Sequence, residues 1–297
     1  KDLECTPGGS SSGSAAAVSD CMIPLAIGSQ TGGSVLRPAS FTGVLGLKPT
    51  FGTISRSGMS PISERLDHPG IYANSIKDIK LIASVILSYD KKDLDMESNY
   101  NFRTKSELQI PPKFAFVKGP VWGSGEEDMK EAIKQYVNVS DLDITSIELG
   151  DDFTEAAKCH EIIMNGSISK SLANYYETNK PKLHPFTTAR IEAGISVSAK
   201  NYIYAIEKAK KMKQALSEVF EKFDAIITPA APGQAPRDLM NTGNAIFNGY
   251  WTMLGVPAIS LPLLKGKDDL PIGVQIITSW NKEAELLDIS NIILSQT

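Results

Sequence analysis

Two clusters of glycine and serine near the start of the chain hold the residues best suited to covalent chemistry. The first covers residues 8–13, GGSSSG, and the second covers residues 32–34, GGS. Glycine lets the backbone approach a ligand closely and adopt turns that other residues avoid. A serine hydroxyl beside such a backbone is a candidate nucleophile or proton carrier. We therefore expect any reaction to take place at these clusters.

The sequence argues against two of the three chemistries that use such clusters. Neither the lysine-containing phosphate-loop pattern nor the dinucleotide fingerprint is present, which disfavours a phosphate cradle. Residues 9–13 fit the nucleophile elbow G-x-S-x-G, but that motif needs a strand immediately before it and a histidine partner. Residues 2–7, DLECTP, make a poor strand, and the three histidines are scattered. The third chemistry, a serine nucleophile activated through a serine–lysine pair, remains.

In this third interpretation Ser34 is the nucleophile and attacks a carbonyl carbon. The backbone N–H groups of Thr31, Gly32 and Gly33, together with that of Ser34, hold the resulting oxyanion. Ser10 passes the proton of the nucleophile to a lysine. Glycine suits positions 32 and 33 because a side chain there would block the carbonyl and the turn.

Longer stretches around both clusters resemble the amidase signature family, serine hydrolases that cleave amides through a Ser–cis-Ser–Lys triad. The matching pieces are GGSSSGSAAAV at 8–18, GSQTGGSVLRPASF at 28–41 and GLKPTFG at 46–52. Ser34 lies 24 positions after Ser10, the separation expected of the family's two serines. The resemblance continues at LDHPG and returns in ITPAAPGQAP, FNGYWTMLGVPAISLP and PIGVQII. It therefore spans most of the chain.

The resemblance implies roles for several residues of the motif. Ser34 is implied as the nucleophile and Ser10 as the bridging serine, with a cis peptide bond between Gly9 and Ser10. Gln30 is expected to brace the oxyanion loop. The serines at positions 11–12 are expected to be structural, one of them capping the helix that follows.

Arg37 lies three residues after Ser34 and has two interpretations. In some members of the family that act on small carboxylate-bearing amides, an arginine here binds the substrate. The planar guanidinium suits that role because it can hold a carboxylate through two parallel hydrogen bonds. The alternative is a structural salt bridge to the loop at residues 51–70.

The lysine of the triad has no counterpart in the motif. The family's lysine lies several tens of residues before the bridging serine, and Lys1 is too close to Ser10 to take its place. Lys48 is the only lysine within the motif stretch, but it belongs to the structural GLKPT piece. We therefore expect an N-terminally truncated chain whose catalytic lysine lies upstream, and little or no activity from this chain alone.

Strands and helices are predicted to alternate over most of the chain, which is typical of an α/β fold. We expect a single domain over residues 1–297, with a mixed central sheet flanked by helices on both faces. A helical insert at about 153–223 is expected to cover the active site, and residues 29–34 and 51–70 are predicted loops. The predicted strands are 24–28, 44–48, 114–117, 144–149, 225–228, 256–262 and 271–277, and the other predicted helices are 15–21, 75–89, 126–137 and 283–294.

Composition limits the partners that the protein can have. The net charge is −4, which disfavours a nucleic-acid or anionic-membrane binder, and no apolar run approaches the ~20 residues of a membrane span. The three cysteines show no metal-ligand spacing and suit a reducing compartment. We expect a cytoplasmic protein with a small-molecule amide substrate, no nucleic acid, no membrane and no metal or organic cofactor. A homodimer is left open.

The sequence thus predicts an amidohydrolase that cleaves a small carboxamide or aryl amide through an acyl-enzyme on Ser34. One alternative is the glutaminase component of a tRNA-dependent amidotransferase, which shares the signature and needs a partner protein. The other is a catalytically inactive fragment or binding form. The C-terminal block from TPAAPGQAP to WTMLG is more typical of the compact stand-alone amidases.

Overall fold

A mixed sheet of eight strands forms the centre of the computed structural model, which describes residues 2–98, 100, 102 and 106–296. The strands are β1 (Leu25–Gln30), β2 (Leu45–Lys48), β3 (His68–Ala73), β4 (Lys113–Val117), β5 (Asp143–Ile147), β6 (Ala225–Pro229), β7 (Ala258–Lys265) and β8 (Pro271–Ile277). Their spatial order is β1-β3-β2-β7-β8-β6-β4-β5. Strand β4 pairs in parallel with β5 and β6, and the other neighbouring pairs are antiparallel.

Ten α-helices in the described residues surround this sheet. They are α1 (Ser12–Ser19), α2 (Leu36–Thr42), α3 (Ile76–Ile86), α4 (Glu127–Val139), α5 (Ala156–Ser171), α6 (Ala173–Asn179), α7 (Pro185–Ile195), α8 (Ala199–Phe220), α9 (Ile246–Leu254) and α10 (Glu283–Ser295). Every residue of β6 and β8 is buried, so both faces of the sheet are covered at its centre. The predicted α/β fold with a mixed central sheet is confirmed.

Strand β3 lies between β1 and β2 and is absent from the predicted strands, because its first residues, His68-Pro69-Gly70, fall in a predicted loop. Pairing on both sides decides its conformation: Gln30 pairs with His68 on β1, and Leu47 pairs with Ile71 on β2. Gly70 is needed for close packing. A Cβ there would lie 2.6 Å from Val35 Cγ2 and 2.9 Å from the Leu47 carbonyl oxygen. The start of α2 can therefore pack this closely on the sheet only because residue 70 has no side chain.

Helix α2 begins two residues after Ser34 and is also absent from the predicted elements. Residues 36–41 of this helix are all buried. Pro38 is tolerated in the first turn, where its missing N–H would have no intrahelical partner. Gly43, with φ +74°, ends the helix in the left-handed conformation. The helix carries Arg37 against the candidate site.

The prediction that Ser11 or Ser12 caps α1 is wrong. Ser11 occupies the N-cap position, but its side chain makes no capping hydrogen bond. Its hydroxyl instead accepts from the Ser29 N–H at 3.1 Å and donates to the Ser29 carbonyl at 3.2 Å. Ser12 donates to the Ser10 carbonyl at 3.5 Å. Ser11 is structural, as expected, because it joins the first serine cluster to β1.

Residues 153–223 are almost entirely helical, as the periodicity predicts, and contain α5 to α8. Helix α5 packs against α7, α8 and α9 and so links this segment to the rest of the molecule.

Among the described residues, no helix is both long enough and apolar enough to cross a membrane.

Candidate active site

The loop from Thr31 to Val35 joins β1 to α2, and residues distant in sequence hold its first two carbonyl groups. His160 Nε2 lies 3.0 Å from the carbonyl oxygen of Thr31. Thr252 donates its hydroxyl to the carbonyl oxygen of Gly32 at 2.6 Å. Helices α5 and α9 therefore approach the loop from outside and fix the direction of two peptide groups.

The next two carbonyl groups of the loop are also held. The Arg37 backbone N–H donates to the Gly33 carbonyl oxygen at 3.0 Å. The Tyr72 hydroxyl donates to the Ser34 carbonyl oxygen at 3.0 Å. Burial raises the pKa of Tyr72 far above its usual range, so the phenol keeps the proton that it donates.

The held carbonyls determine where the N–H groups of the loop point. Carbonyl and N–H of one trans peptide lie on opposite sides of the bond, and the cis bonds in the described residues are elsewhere. Holding the carbonyls of Thr31, Gly32 and Gly33 thus turns the N–H groups of Gly32, Gly33 and Ser34 the other way. Within the described part of the chain these three N–H groups donate to no protein acceptor. They are available to bind a developing oxyanion.

Gln30 braces the same loop, as the resemblance implied. Its side chain is fully buried at the end of β1. The amide oxygen accepts from the backbone N–H groups of Val35 and Leu36 at 2.8 and 3.0 Å. The amide nitrogen donates to Thr252 Oγ1 at 2.9 Å. One buried amide thus satisfies the start of α2 and orients the hydroxyl that holds Gly32.

The two loop glycines differ in the space around them. A Cβ at Gly33 would overlap Asn248 Oδ1 and lie 3.0 Å from Ala245 Cβ, so a side chain cannot be added unless the loop or its neighbours on and before α9 move. A Cβ at Gly32 would lie 3.5 Å from His160 Cε1, an ordinary contact. The steric need for glycine is therefore evident at position 33. At position 32 the protein itself leaves room for a Cβ.

The Gly9–Ser10 peptide bond is cis, as the resemblance implied. Ser10 and Ser34 both line one cavity of about 1330 Å³, together with Thr31, Gly32 and Gly33. The structure thus brings together all the residues proposed for catalysis and for the oxyanion hole.

Arg37 also lines this cavity, but the predicted salt bridge to residues 51–70 is wrong. Its Nη2 donates to the Gly9 carbonyl oxygen at 2.6 Å and to Thr242 Oγ1 at 3.4 Å. The side chain is buried, and its Nε has no partner in the described chain. Burial lowers the pKa of Arg37 to about 10. Arg37 therefore supports the backbone before Ser10 and presents a positive charge that no carboxylate neutralises among the described ion pairs.

Other parts of the cavity lining come from the helical segment and from the stretch 232–250. Arg190 on α7 donates to Asn165 Oδ1 at 3.1 Å, and its guanidinium lies 5.0 Å from the ring centre of Phe186. Burial lowers the pKa of Arg190. The other charged or titratable residues that line the cavity include Glu126, Lys158, Glu161, His184 and Asp238.

Lys48 lies away from this cavity. It is fully buried on β2, where Nζ donates to the carbonyl oxygens of Pro49 and Val256 at 2.9 and 2.5 Å. Burial lowers the pKa of Lys48 to about 7. In the described chain no lysine forms a hydrogen bond with Ser10 or Ser34. The triad lysine therefore stays a prediction.

The side chains that hold the loop from outside cannot be recognised in the amino-acid sequence. His160, Thr252 and Tyr72 lie 129, 220 and 38 positions from their loop partners. No local pattern assigns them this role, because the role depends on the tertiary contact alone.

Among the described residues, no group of three or more histidine, cysteine, aspartate or glutamate side chains could hold a metal ion.

Comparison with known proteins identifies the family to which this chain belongs. The family model for the amidases matches residues 1–287, and the chain belongs to this family. The A subunit of the glutamyl-tRNA(Gln) amidotransferase of Clostridium botulinum is 32% identical over 329 residues, covering 97% of this chain and 67% of the relative. The chain therefore spans about two thirds of the length of such relatives.

Solved structures with the same fold include several amidase relatives. A chain of a vestigial protein complex, described as revealing the evolutionary origins of an s-triazine catabolic enzyme, superposes with a TM-score of 0.90 at 23% identity. The superposition covers 99% of this chain and 67% of the other chain. The A subunit of the glutamyl-tRNA(Gln) amidotransferase of Thermotoga maritima gives a TM-score of 0.80 at 28% identity, covering 98% of this chain and 66% of that one.

Proposed function

We propose that this protein cleaves the C–N bond of a small carboxamide or aryl amide through an acyl-enzyme on Ser34. The observation that carries the proposal is the set of N–H groups at Gly32, Gly33 and Ser34, which donate to no acceptor in the described chain. They lie next to a serine hydroxyl in a cavity large enough for a small substrate. Donors aimed at an oxyanion contribute on the order of 3 kcal/mol each to stabilisation of the transition state.

The proposed reaction has two half-steps. Ser34 Oγ attacks the amide carbonyl carbon, and its proton passes through Ser10 to a base, which the family resemblance assigns to a lysine upstream of Ser10. The tetrahedral intermediate collapses, the C–N bond breaks, and the leaving amine takes the proton. Water then attacks the Ser34 ester by the same route and releases the carboxylic acid. No step of this scheme uses a metal or an organic cofactor.

Arg37 is proposed to bind the substrate as well as the backbone. Its guanidinium is buried in the cavity wall with hydrogen bonds to Gly9 and Thr242 and no carboxylate partner among the described ion pairs. A buried unpaired cation favours an anionic ligand, because a carboxylate would offset the cost of its desolvation. A small amide that also bears a carboxylate is therefore the favoured substrate.

The alternative function is that of the amide-cleaving component of a tRNA-dependent amidotransferase. It is favoured by the 32% identity to the Clostridium botulinum relative over nearly the whole chain. This alternative adds a protein partner to the small-molecule substrate. It predicts that glutamine hydrolysis by the full-length protein rises when candidate partner proteins are co-expressed, whereas a stand-alone amidase would be unaffected.

The nucleophile can be tested with phenylmethylsulfonyl fluoride and peptide mass mapping on the full-length protein, including any residues encoded before Lys1. We expect one adduct, on Ser34, that is lost in Ser34→Ala and slowed in Ser10→Ala. Ser14→Ala, at a serine of α1 that donates to the Ile27 carbonyl oxygen, is the matched control and should label normally. Absence of an adduct on Ser34 would overturn the hydrolase proposal in favour of a binding protein.

A further inference from the structure

His160 reaches the oxyanion loop from α5 and is closely packed there. The side chain is only 7% exposed, and Nε2 lies 3.0 Å from the Thr31 carbonyl oxygen. On its other side the ring lies against Gly249 of α9, where a Cβ would come within 2.7 Å of Nδ1. The ring is therefore held between α9 and the loop and has little freedom to turn.

The contact with Thr31 fixes the protonation of the ring. A carbonyl oxygen can only accept, so Nε2 must carry a proton and donate it. Burial lowers the pKa of His160 to about 4, and the nearby positive charge of Arg190 acts in the same direction. At neutral pH the ring is therefore uncharged, with its proton on Nε2.

We propose that His160 is a positioning residue, which aims the Gly32 N–H at the oxyanion by holding the carbonyl oxygen of the same peptide group. This inference rests on the proposed function. The Thr31–Gly32 peptide is planar and trans, so a donor on its carbonyl side determines the direction of the N–H on the other. Without that donor the direction of this peptide group would be less restricted, because no other described side chain donates to the Thr31 carbonyl.

The free space around Gly32 explains why the Thr31–Gly32 peptide group needs a hydrogen bond from outside the loop. A Cβ at Gly33 would clash with Asn248 and Ala245, so packing restricts the second peptide of the loop. At Gly32 the nearest atoms to a Cβ are 3.5 Å away, and glycine has wide backbone freedom. His160 therefore supplies a restraint that packing does not.

The test compares a donor with a non-donor at position 160 in the full-length protein. His160→Gln places an amide N–H near the position of Nε2, whereas His160→Leu fills the space without a donor. Phenylmethylsulfonyl fluoride is the probe, because its sulfonyl oxygen also gains charge during attack by Ser34. We expect His160→Leu to lower the maximal labelling rate of Ser34 about tenfold or more, with little change in the half-saturating concentration. His160→Gln should recover most of the rate.

Ile163→Ala is the control for a purely structural effect. Ile163 is buried on the same helix and has no polar atom to donate to the loop, so this variant should unfold at a lower temperature yet label at the wild-type rate. An unchanged rate in His160→Leu, with normal wild-type labelling, would overturn the positioning role and leave the proposed function intact. The positioning role would also be overturned if the labelling rate fell in His160→Gln and in Ile163→Ala as much as in His160→Leu. No wild-type adduct on Ser34 would overturn both proposals.

Discussion

The hydroxyl of Thr252 lies 2.6 Å from the carbonyl oxygen of Gly32, although 220 positions separate the two residues in the sequence. The same hydroxyl accepts a hydrogen bond from the buried amide of Gln30. The C-terminal third of the chain thus holds the proposed oxyanion loop through a single fully buried side chain.

Thr252→Val should both destabilise the protein and slow the labelling of Ser34. The valine leaves the Gly32 carbonyl and the Gln30 amide without their shared partner, which costs about 1–3 kcal/mol for a buried polar group. Urea unfolding measures the first effect and the sulfonyl fluoride rate the second. Thr252→Ser keeps the hydroxyl and should retain the labelling rate. A valine variant as fast as wild type would contradict the importance of this hydrogen bond.

Gly33→Ala should cost about 1–3 kcal/mol of the free energy of unfolding, because the new methyl overlaps Asn248 Oδ1. We expect the same variant to lose nearly all Ser34 labelling, since the loop must move to relieve the overlap. Gly13→Ala is the matched control. A Cβ at Gly13 meets no atom within 4 Å, and the residue lies in α1, so alanine should be neutral or slightly stabilising. Equal effects of the two substitutions on denaturant unfolding would refute this reasoning.

His160 should make the free energy of unfolding fall as the pH falls from about 6.5 to 4. Its pKa is about 4 in the folded protein and near 6.5 when unfolded, so between these values the unfolded state binds the additional proton. The contribution is fully present above pH 6.5 and is lost at about 1 kcal/mol per pH unit on acidification. Urea unfolding at about pH 7.5, 6 and 5 should show a shallower dependence in His160→Gln.

Lys48 should also make the free energy of unfolding depend on pH, in this case at neutral to alkaline pH. Burial lowers its pKa from 10.5 to about 7, so between these values the unfolded chain binds more protons than the folded one. The contribution is therefore complete above pH 10.5 and is lost as the pH falls to about 7. We expect wild-type stability, relative to Lys48→Met, to rise from about pH 7 to 10 in denaturant titrations.

The same Lys48→Met variant also tests the alternative base. If Lys48 is structural, the folded variant should still form the adduct on Ser34. Loss of the adduct without unfolding would make Lys48 part of the proton relay.

Local sequence patterns are sufficient to predict those helices and strands whose own side chains favour the conformation. Helix α3 begins after Ser75, whose hydroxyl accepts from the Asp78 N–H, and buries Ile79 and Ala83 at helical spacing. Strands β6 and β8 are short apolar runs that are buried along their whole length. In these cases the side chains that favour the element are also the ones that pack.

Strand β3 and helix α2 could not be predicted in this way. The start of β3 contains proline and glycine, which disfavour a strand, and pairing with β1 and β2 overcomes that preference. Helix α2 is short and almost entirely buried, so it has no polar face to give a periodic pattern. Both elements owe their conformation to neighbours that are distant in the chain.

The amino-acid sequence by itself determined the family, the α/β fold and the loop at residues 31–34, because glycine, serine and apolar spacing act locally. Only the tertiary structure decided what holds that loop. His160, Thr252 and Tyr72 contact it through hydrogen bonds that exist once α5, α9 and β3 are packed around it. Hydrogen-bond direction depends on angles and distances between elements, and these follow from the packing of the whole sheet rather than from any short stretch of residues.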